Sequence, residues 1–471
     1  MRVLLGGAFA ALACVAACVD CVAAESAASS AARPNIVFIL ADDLGYGALG
    51  CYGQEKIATP HVDRLAAAGM RFTQHYAGSH VCMPARSTLM TGLHTGHTPI
   101  RANQSEAYLH PDDVTVAEVL TAAGYRCGLF GKWGLGAEDT PGHPNRQGFA
   151  EFFGFLRQEH AHFYYPYFLW HNAERYALPE NEGRQQARYA HDEVHARALE
   201  FIRASAGRPF FCYAAYTIPH VELVVPEDSL APYRGRWPET PLPDPREGYI
   251  GADEPYATMA GMISRLDRHV GEIVALLEEL GIADETLLLF TSDNGGQGQT
   301  WQPLTDFFQS NGPLRGYKAT FYEGGIRVPL VAYWPGTIAP GTTSDRLSAF
   351  WDFMPTAAEL AGAPSPATDG ISLVPTLLGK PGPPAAEYLY WEHPGRGAPN
   401  QAIRAGDWKL IATAGQPVEL YNLADDIAET RNLAEAHPDV VDRLKHHLTD
   451  RTERRPYAPE PRRTGYRDYV R

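Results

Sequence analysis

The segment Asn35-Ile36-Val37-Phe38-Ile39-Leu40 sets the fold class of this chain, and Asp42-Asp43 follows it one residue later. Its continuous apolar run predicts a strand that is buried on both faces. Four more runs of this kind predict further strands, at 125–130, 209–216, 286–291 and 328–333. Helical spacing of apolar residues separates these runs, at 61–68, 114–123, 189–204 and 256–280. This alternation predicts an α/β fold with a largely parallel sheet covered by helices on both faces.

Two of the predicted strands lead into acidic pairs. Asp42-Asp43 follows the first strand, and Asp293-Asn294 follows the fourth. Ligands of open α/β sheets bind beyond the carboxyl ends of the strands, where these side chains lie. Either pair alone fits ordinary turn chemistry, whereas both pairs at strand ends favour a cation site. Carboxylate and amide oxygens suit Ca²⁺ or Mg²⁺ rather than zinc.

The chain has 471 residues, which is enough for one large domain and a smaller one. A formal net charge of −15 argues against non-specific nucleic-acid binding, which requires a basic surface. The Pro/Gly-rich stretch at 379–384 predicts a boundary between a large domain, 25–378, and a C-terminal subdomain, 379–471. The subdomain combines a helical segment near 438–448 with four short strand-like segments: 388–392, 402–404, 408–412 and 418–423. These segments predict a small antiparallel sheet with one helix.

Residues 1–24 have the features of an export signal. Arg2 supplies the positive start, residues 3–19 are apolar, and Val22-Ala23-Ala24 offers small residues for cleavage. The segment predicts a periplasmic or secreted protein. Val15-Ala16-Ala17-Cys18 also resembles a bacterial lipoprotein box, and cleavage there would leave a lipid on Cys18. No other segment has the length and apolarity of a membrane span.

Four cysteines follow the predicted signal: Cys51, Cys82, Cys127 and Cys212. Their number and spacing fit neither a disulfide scaffold nor a zinc site. A disulfide between two of Cys51, Cys127 and Cys212 is left open by the sequence.

Cys82 begins the run Cys82-Met-Pro-Ala-Arg-Ser-Thr-Leu-Met-Thr-Gly92. Pro84 suits the first turn of a helix, and Arg86 follows Cys82 by four residues on the same helical face. A cysteine at a helix start beside an arginine predicts an anion-binding site.

The pattern C-x-P-x-R followed by T-G resembles the signature of formylglycine-dependent, arylsulfatase-like sulfatases of the alkaline phosphatase-like superfamily. The resemblance implies a large mixed, mostly parallel sheet and a small C-terminal α+β domain, for which residues 402–411 and 419–433 provide further similarity. It implies that a separate modification enzyme oxidises Cys82 to formylglycine, whose hydrated aldehyde attacks the sulfur of a sulfate ester. It also implies a Ca²⁺ ion, with Mg²⁺ as the less favoured ion, held by five residues: Asp42, Asp43, modified residue 82, Asp293 and Asn294.

Three short segments resemble further family positions and supply Lys132, His220 and Lys318. The resemblance implies that Lys132 contacts sulfate and the hydrated aldehyde. It places His220 on a sulfate oxygen or on the leaving-group side, and Lys318 on the leaving oxygen, as a contact or as its proton donor. With Arg86 and the cation, these side chains would surround the negative charge of the transition state.

The chain departs from the family pattern at Gly134. Many sulfatases read G-K-W-H-L-G, and their histidine handles the proton of the formylglycine hydroxyl. Here the run is Gly131-Lys-Trp-Gly-Leu-Gly136. Four nearby histidines are candidates for this role, and the sequence does not distinguish among them: His94, His97, His160 and His162.

Two polar segments, 93–103 and 158–166, predict a pocket for a small sulfated saccharide. Their candidate substrate-binding residues are His94, His97, Arg101, Asn103, His160 and His162. Loop packing is the alternative explanation for both segments. The sequence therefore predicts a sulfatase acting on sulfated carbohydrate, with aryl sulfates as further substrates. The alternatives are a phosphomonoester or phosphonate hydrolase of the same superfamily, and a non-catalytic protein that binds sulfated glycans.

Overall fold

A computed structural model describes residues 33–104, 107–243 and 249–453. Strand β1 (Asn35–Ala41) lies at the centre of the main sheet, and all seven of its residues are buried. It pairs in parallel with β8 (Phe210–Ala215) and with β9 (Thr286–Ser292). Beyond β8, the parallel arrangement continues through β4 (Arg126–Lys132) and β5 (Glu151–Phe155). These five strands confirm the largely parallel sheet, because continuous apolar runs suit strands that are covered on both faces.

The outer strands make the main sheet mixed. Strand β10 (Leu330–Tyr333) runs antiparallel to β9, so the predicted segment 328–333 is a strand with reversed direction. The other outer strands are β2 (Met70–Phe72), β6 (Phe168–His171), β7 (Glu174–Ala177) and β11 (Thr342–Ser344). The strand order is β11-β2-β10-β9-β1-β8-β4-β5-β6-β7. A separate short pair consists of β3 (His75–Tyr76) and β12 (Ser348–Ala349).

Alternate residues of β1 face two helical layers. Val37 and Ile39 belong to one apolar core, and Ile36 and Phe38 belong to the other. The first layer contains α1 (Pro60–Ala68), α4 (Ala190–Ser205) and α6 (Pro255–Glu279). The second contains α2 (Cys82–Thr91), α3 (Val116–Ala122) and α9 (Phe353–Ala361). Shorter helices are α5 (Glu227–Leu230), α7 (Gln302–Phe307), α8 (Glu323–Ile326) and α10 (Val374–Leu377). The fold is thus the predicted sheet between helices.

A second, four-stranded antiparallel sheet lies towards the C-terminus, as the sequence predicts. It consists of β13 (Leu389–His393), β14 (Asn400–Ala405), β15 (Trp408–Ala412) and β16 (Glu419–Asn422). One face packs against α11 (Pro438–Lys445), where Leu410 and Leu444 are both buried. The other face contacts the main body through Trp391, whose indole N–H donates to the Ala77 carbonyl at 2.9 Å. The division at residue 379 stays a prediction.

A buried ion pair also joins the C-terminal sheet to helix α8 of the main body. Lys409 of β15 places its Nζ 2.8 Å from Oε1 of Glu323, the first residue of α8, and both side chains are fully buried. The Tyr76 hydroxyl donates to the other oxygen of Glu323 at 2.6 Å. The C-terminal sheet is therefore tied to the main body by charge as well as by apolar packing.

The predicted export signal and Cys18 lie outside the described residues. Within the described ranges, no helix combines the length and apolarity that crossing a membrane requires. The four cysteines there are all free thiols, so no disulfide joins any two of Cys51, Cys127 and Cys212.

Candidate active site

The carboxyl ends of β1 and β9 bring the two acidic pairs together, because the strands are parallel neighbours in the sheet. The Asp43 backbone N–H donates to Oδ1 of Asp293 at 3.2 Å. Asn294 Nδ2 donates to Oδ1 of Asp43 at 2.6 Å. These three side chains and that of Asp42 are buried. The four residues therefore form one cluster at the sheet edge where ligands of such folds bind.

The cluster has the donor chemistry of a site for a hard cation. Oδ1 of Asp42 and Oδ1 of Asn294 are buried and accept no hydrogen bond from the residues that the structure describes. Such oxygens are costly to bury without a partner. Burial raises the pKa of Asp293 to about 6, and the neighbouring Asp42 charge adds to this rise. One ligand atom each from Asp42, Asp293 and Cys82 lies within 4.8 Å of the others. The carboxylate and amide oxygens of this cluster are the donors that suit a Ca²⁺ ion.

Cys82 begins helix α2, whose ten residues are all buried. The sequence explains this start, because Pro84 occupies the first turn, where a missing backbone N–H costs nothing. The Cys82 thiol donates to Oε1 of Gln158 at 3.2 Å. From another side, Asn103 Nδ2 donates to the sulfur at 3.4 Å. Two amide side chains therefore flank the sulfur atom.

Arg86 lies one helical turn after Cys82 and is held on two sides. Its NH2 group lies 2.8 Å from Oδ2 of Asp293, and its NH1 group donates to the Lys132 carbonyl at 2.7 Å. The side chain is 1% exposed. The guanidinium is thus fixed between β9 and β4, with its charge directed at the acidic cluster.

Two lysines add positive charge to the cluster. Lys132 Nζ lies 2.5 Å from Oδ2 of Asp42. Lys318 Nζ lies 2.6 Å from Oδ1 of Asp43. Burial alone would lower the pKa of Lys318, but Asp43 and the other negative groups outweigh it and raise that pKa above its usual range. The Lys318 ammonium is therefore charged.

His220 approaches the same cluster from the segment after β8. Its Nε2 lies 3.5 Å from Oδ2 of Asp43, and its Nδ1 contacts the Val221 carbonyl. Burial, together with the charge of Lys318, lowers the pKa of His220 well below its usual value. His162 stacks on His220 with a centroid separation of 4.2 Å. Because of its low pKa the His220 ring is neutral, with Nδ1 as the donor to the Val221 carbonyl and Nε2 as an acceptor.

Four of the predicted substrate-binding residues have partners elsewhere. His94 and His97 contact Asp369 and Asp450, beyond the far end of α2, about 15 Å along that ten-residue helix from Cys82. Arg101 pairs with Glu392, and the His160 ring contacts the Phe168 carbonyl. Asn103 and His162, by contrast, lie at the cluster itself. Substrate binding by these six residues stays a prediction.

Gln158 is the residue at the site that the sequence interpretation did not single out. It lies in the polar segment 158–166, three residues after the end of β5. One signal could have indicated it: Gly134 follows the neighbouring strand β4 and has no side chain, so another residue must fill that space.

Comparison with known proteins agrees with this geometry. Residues 34–363 match the family model described as Sulfatase, and residues 317–454 match the one described as N-sulphoglucosamine sulphohydrolase, C-terminal. The chain is 34% identical to arylsulfatase A of Homo sapiens, across 88% of this chain and 86% of that protein. It is 29% identical to N-acetylgalactosamine-6-O-sulfatase of Bacteroides thetaiotaomicron, across 88% of this chain and 92% of that protein.

Among solved structures, the crystal structure of Ps i-CgsB in complex with k-i-k-neocarrahexaose is similar, with a TM-score of 0.75 and 26% identity. The alignment covers 89% of this chain and 94% of that one. The sheet architecture and the structural neighbours place the chain in the alkaline phosphatase-like class of hydrolases. Within that class, the chain belongs to the sulfatase family, and it is a sulfuric ester hydrolase.

Proposed function

We propose that the enzyme hydrolyses sulfate esters of carbohydrates through an oxygen nucleophile made from Cys82. The observation that carries the proposal is the position of Cys82, at a helix start and within 4.8 Å of ligand oxygens of Asp42 and Asp293. Formylglycine at this position would supply a hydroxyl nucleophile in place of a thiol. Its formation requires a separate modification enzyme that acts on the segment around Cys82.

A Ca²⁺ ion would be held by Asp42, Asp43, Asp293, Asn294 and residue 82. When bound, the ion would polarise the sulfate and favour the ionised form of the attacking hydroxyl. Ca²⁺ suits this set better than Mg²⁺, since Mg²⁺ keeps several waters and is seldom held by an all-protein cage. The partnerless oxygens of Asp42 and Asn294 support this assignment.

The charged side chains of the chain have separate tasks in this proposal. Arg86 is fixed by Asp293 and Lys132, so its charge orients the sulfate without reorganisation during the reaction. Lys132 contacts the sulfate and residue 82. Lys318 is charged, and it donates a proton to the leaving alcohol oxygen. His220 is neutral and directs Nδ1–H at the Val221 carbonyl, so its Nε2 is an acceptor and would contact the hydroxyl of the leaving alcohol rather than a sulfate oxygen.

A carbohydrate substrate is supported by the relatives and by the site's surroundings. Bacteroides thetaiotaomicron N-acetylgalactosamine-6-O-sulfatase and the neocarrahexaose complex of Ps i-CgsB are named for saccharides. In this chain, His162 stacks on His220 and contacts the Tyr249 hydroxyl at 2.7 Å, which adds polar and aromatic groups beside the cluster. Export to the periplasm or beyond, with a lipid on Cys18 as the alternative, would bring the enzyme to polymeric substrates.

A paired assay on nitrophenyl sulfate and nitrophenyl phosphate tests the reaction. We expect the sulfate to be cleaved faster, with release of inorganic sulfate and the free alcohol. A preference for the phosphate by several orders of magnitude would instead favour the phosphomonoester or phosphonate hydrolase alternative. Sulfated mono- and oligosaccharides, assayed for sulfate release, then identify the sugar. Binding of such saccharides without turnover of any ester would favour the non-catalytic alternative.

A further inference from the structure

The space beside Gly134 is filled by the amide of Gln158. A Cβ atom on residue 134 would lie 1.9 Å from Gln158 Nε2, well inside the contact distance of two heavy atoms. Gly134 also has a φ of 75°, a left-handed conformation that side chains other than glycine's rarely adopt. A side chain on residue 134 would therefore require the Gln158 amide to leave its present position.

The backbone holds this pair in register. Strands β4 and β5 are parallel neighbours, and their pairing continues past the end of both strands. Trp133 N–H donates to the Phe155 carbonyl at 2.9 Å, and Gly134 N–H donates to the Leu156 carbonyl at 3.0 Å. Gln158 follows two residues later. The sheet itself thus sets the distance between Gly134 and Gln158.

The other end of the same amide contacts residue 82. Gln158 Oε1 accepts from the Cys82 thiol at 3.2 Å, and the Gln158 side chain is 9% exposed. Its Nε2 has no hydrogen-bond partner in the described part of the chain. In the proposed active form, residue 82 carries hydroxyl groups where the thiol now lies. A buried amide can donate to and accept from such a hydroxyl.

None of the four histidines that the sequence offers for handling the proton has a hydrogen bond to the Cys82 sulfur among the described residues. His94 and His97 contact Asp450 and Asp369, and His160 contacts the Phe168 carbonyl. His162 lies behind His220 and contacts Tyr249. Gln158 and Asn103 are the side chains with hydrogen bonds to the Cys82 sulfur among the described residues.

We propose that Gln158 is a positioning residue for the nucleophile and that Gly134 is its steric complement. This inference rests on the proposed role of residue 82. The Gln158 amide orients the attacking hydroxyl by a hydrogen bond, and it neither gains nor loses a proton near neutral pH. The proton of that hydroxyl must accordingly pass to another group. Substitution of either Gln158 or Gly134 disturbs the same contact.

A double-mutant cycle on full-length enzyme tests the pair, with Gln158→Ala, Gly134→Ala and the double variant. Each rate is normalised to the aldehyde content of residue 82, measured by mass spectrometry of its tryptic peptide. We expect each single variant to lose about 10- to 100-fold in kcat with KM within about threefold, as for loss of one hydrogen bond to a reacting oxygen. The double variant should lose no more than Gln158→Ala alone, because the new methyl group acts by displacing an amide that is already gone.

Two control variants separate this effect from general damage. Gly124→Ala introduces a side chain at a φ of 88° with no atom within 4 Å of the new Cβ, so it reproduces the backbone strain alone. Gln147→Ala removes another buried amide, whose Nε2 donates to the Pro141 carbonyl at 3.2 Å. Both controls should keep the kcat of the unchanged enzyme. Where Gln158→Ala does not fold, Gln158→Glu keeps the volume, and its kcat should acquire a pH dependence from the carboxyl.

The cycle is run on whichever nitrophenyl ester the unchanged enzyme cleaves faster. A preference for phosphate would therefore contradict the sulfate proposal and still allow Gln158 to be tested. Unchanged kcat in Gln158→Ala, or losses that multiply in the double variant, would overturn the inference. So would a Gln158→Glu pH profile identical to that of the unchanged enzyme.

Discussion

Lys132 and Asp42 form an ion pair at the centre of the site, with 2.5 Å between Nζ and Oδ2 and both residues 0% exposed. Removing Lys132 would leave the buried Asp42 with Arg86, 3.5 Å away, as its remaining cationic partner. We expect Lys132→Met to lose at least about 100-fold in kcat and about 3–5 kcal/mol in the free energy of unfolding. Kinetics and urea titration measure the two effects. The matched control is exposed Lys380→Met, which should change neither kcat nor the free energy of unfolding. Equal kcat and equal stability of the two variants would contradict the central role of Lys132.

Cys82 is expected to be indispensable for turnover and dispensable for folding. Its sulfur contacts two amides and completes no disulfide, so Cys82→Ala removes the nucleophile with little loss of packing. We expect no measurable hydrolysis and an unchanged circular dichroism spectrum. In the native protein, the tryptic peptide should be about 18 Da lighter than its thiol form. Cys127→Ala, a buried cysteine outside the site, is the control and should stay active. Near-normal turnover by Cys82→Ala would refute the assignment.

Removal of the cation should weaken both activity and stability. Asp42, Asp43 and Asp293 are buried within one cluster, so their mutual repulsion rises when the ion leaves. Prolonged dialysis against a chelator should lower kcat and the melting temperature, and Ca²⁺ should restore both better than Mg²⁺. The Asp42→Asn variant should show a smaller shift in melting temperature on adding Ca²⁺. An equal rise in melting temperature on adding Ca²⁺ to Asp42→Asn and to the unchanged enzyme would argue against this site.

His97 is expected to stabilise the fold mainly at acidic pH. Its hydrogen bond to Asp369 raises its pKa above the usual value, with Asp450 adding to the effect. The charged ring therefore contributes stability that is fully present below the unfolded-state pKa of about 6.5 and is lost as pH rises through the folded-state value. His97→Gln should cost up to about 1 kcal/mol at low pH and less at high pH. Urea titrations of His97→Gln and of the unchanged enzyme at about pH 5.5 and about pH 9 measure this difference. A larger loss of stability in His97→Gln at high pH than at low pH would refute this explanation.

Lys409 should matter for stability although it lies outside the site. Its buried ammonium lies 2.8 Å from Glu323 and 2.9 Å from Glu429, and Lys409→Met would leave Glu323 with Arg327 but Glu429 without a cationic partner among the described residues. We expect a loss of about 3–5 kcal/mol in the free energy of unfolding, measured by urea titration. Exposed Lys445→Met should be neutral within about 0.5 kcal/mol. Glu323→Gln in the Lys409→Met background should recover part of the loss, and further destabilisation would contradict the pairing.

The central strands and the acidic cluster were predictable from sequence for a physical reason. Apolar runs identify strands that are buried on both faces. Neighbouring parallel strands place their carboxyl ends at one edge of the sheet, so Asp42 and Asp293 lie close together there. The reversed direction of β10 was not predictable, because an apolar run fits a buried strand of either direction. The contact of Gln158 with Cys82 was equally hidden, since it depends on how far the β4–β5 pairing continues past Lys132.

The ion pair between Lys409 and Glu323 has a consequence for how the enzyme responds to ligands. Lys318, which contacts Asp43, lies only five residues before Glu323, so a single short segment is held by the reaction centre at one end and by the C-terminal sheet at the other. Energetic coupling between two such positions is reciprocal. A bound anion that orders Lys318 should therefore slow amide hydrogen exchange in β15, and loosening of β15 should weaken anion affinity by the same factor. We therefore expect the C-terminal sheet to influence anion affinity without contacting the anion.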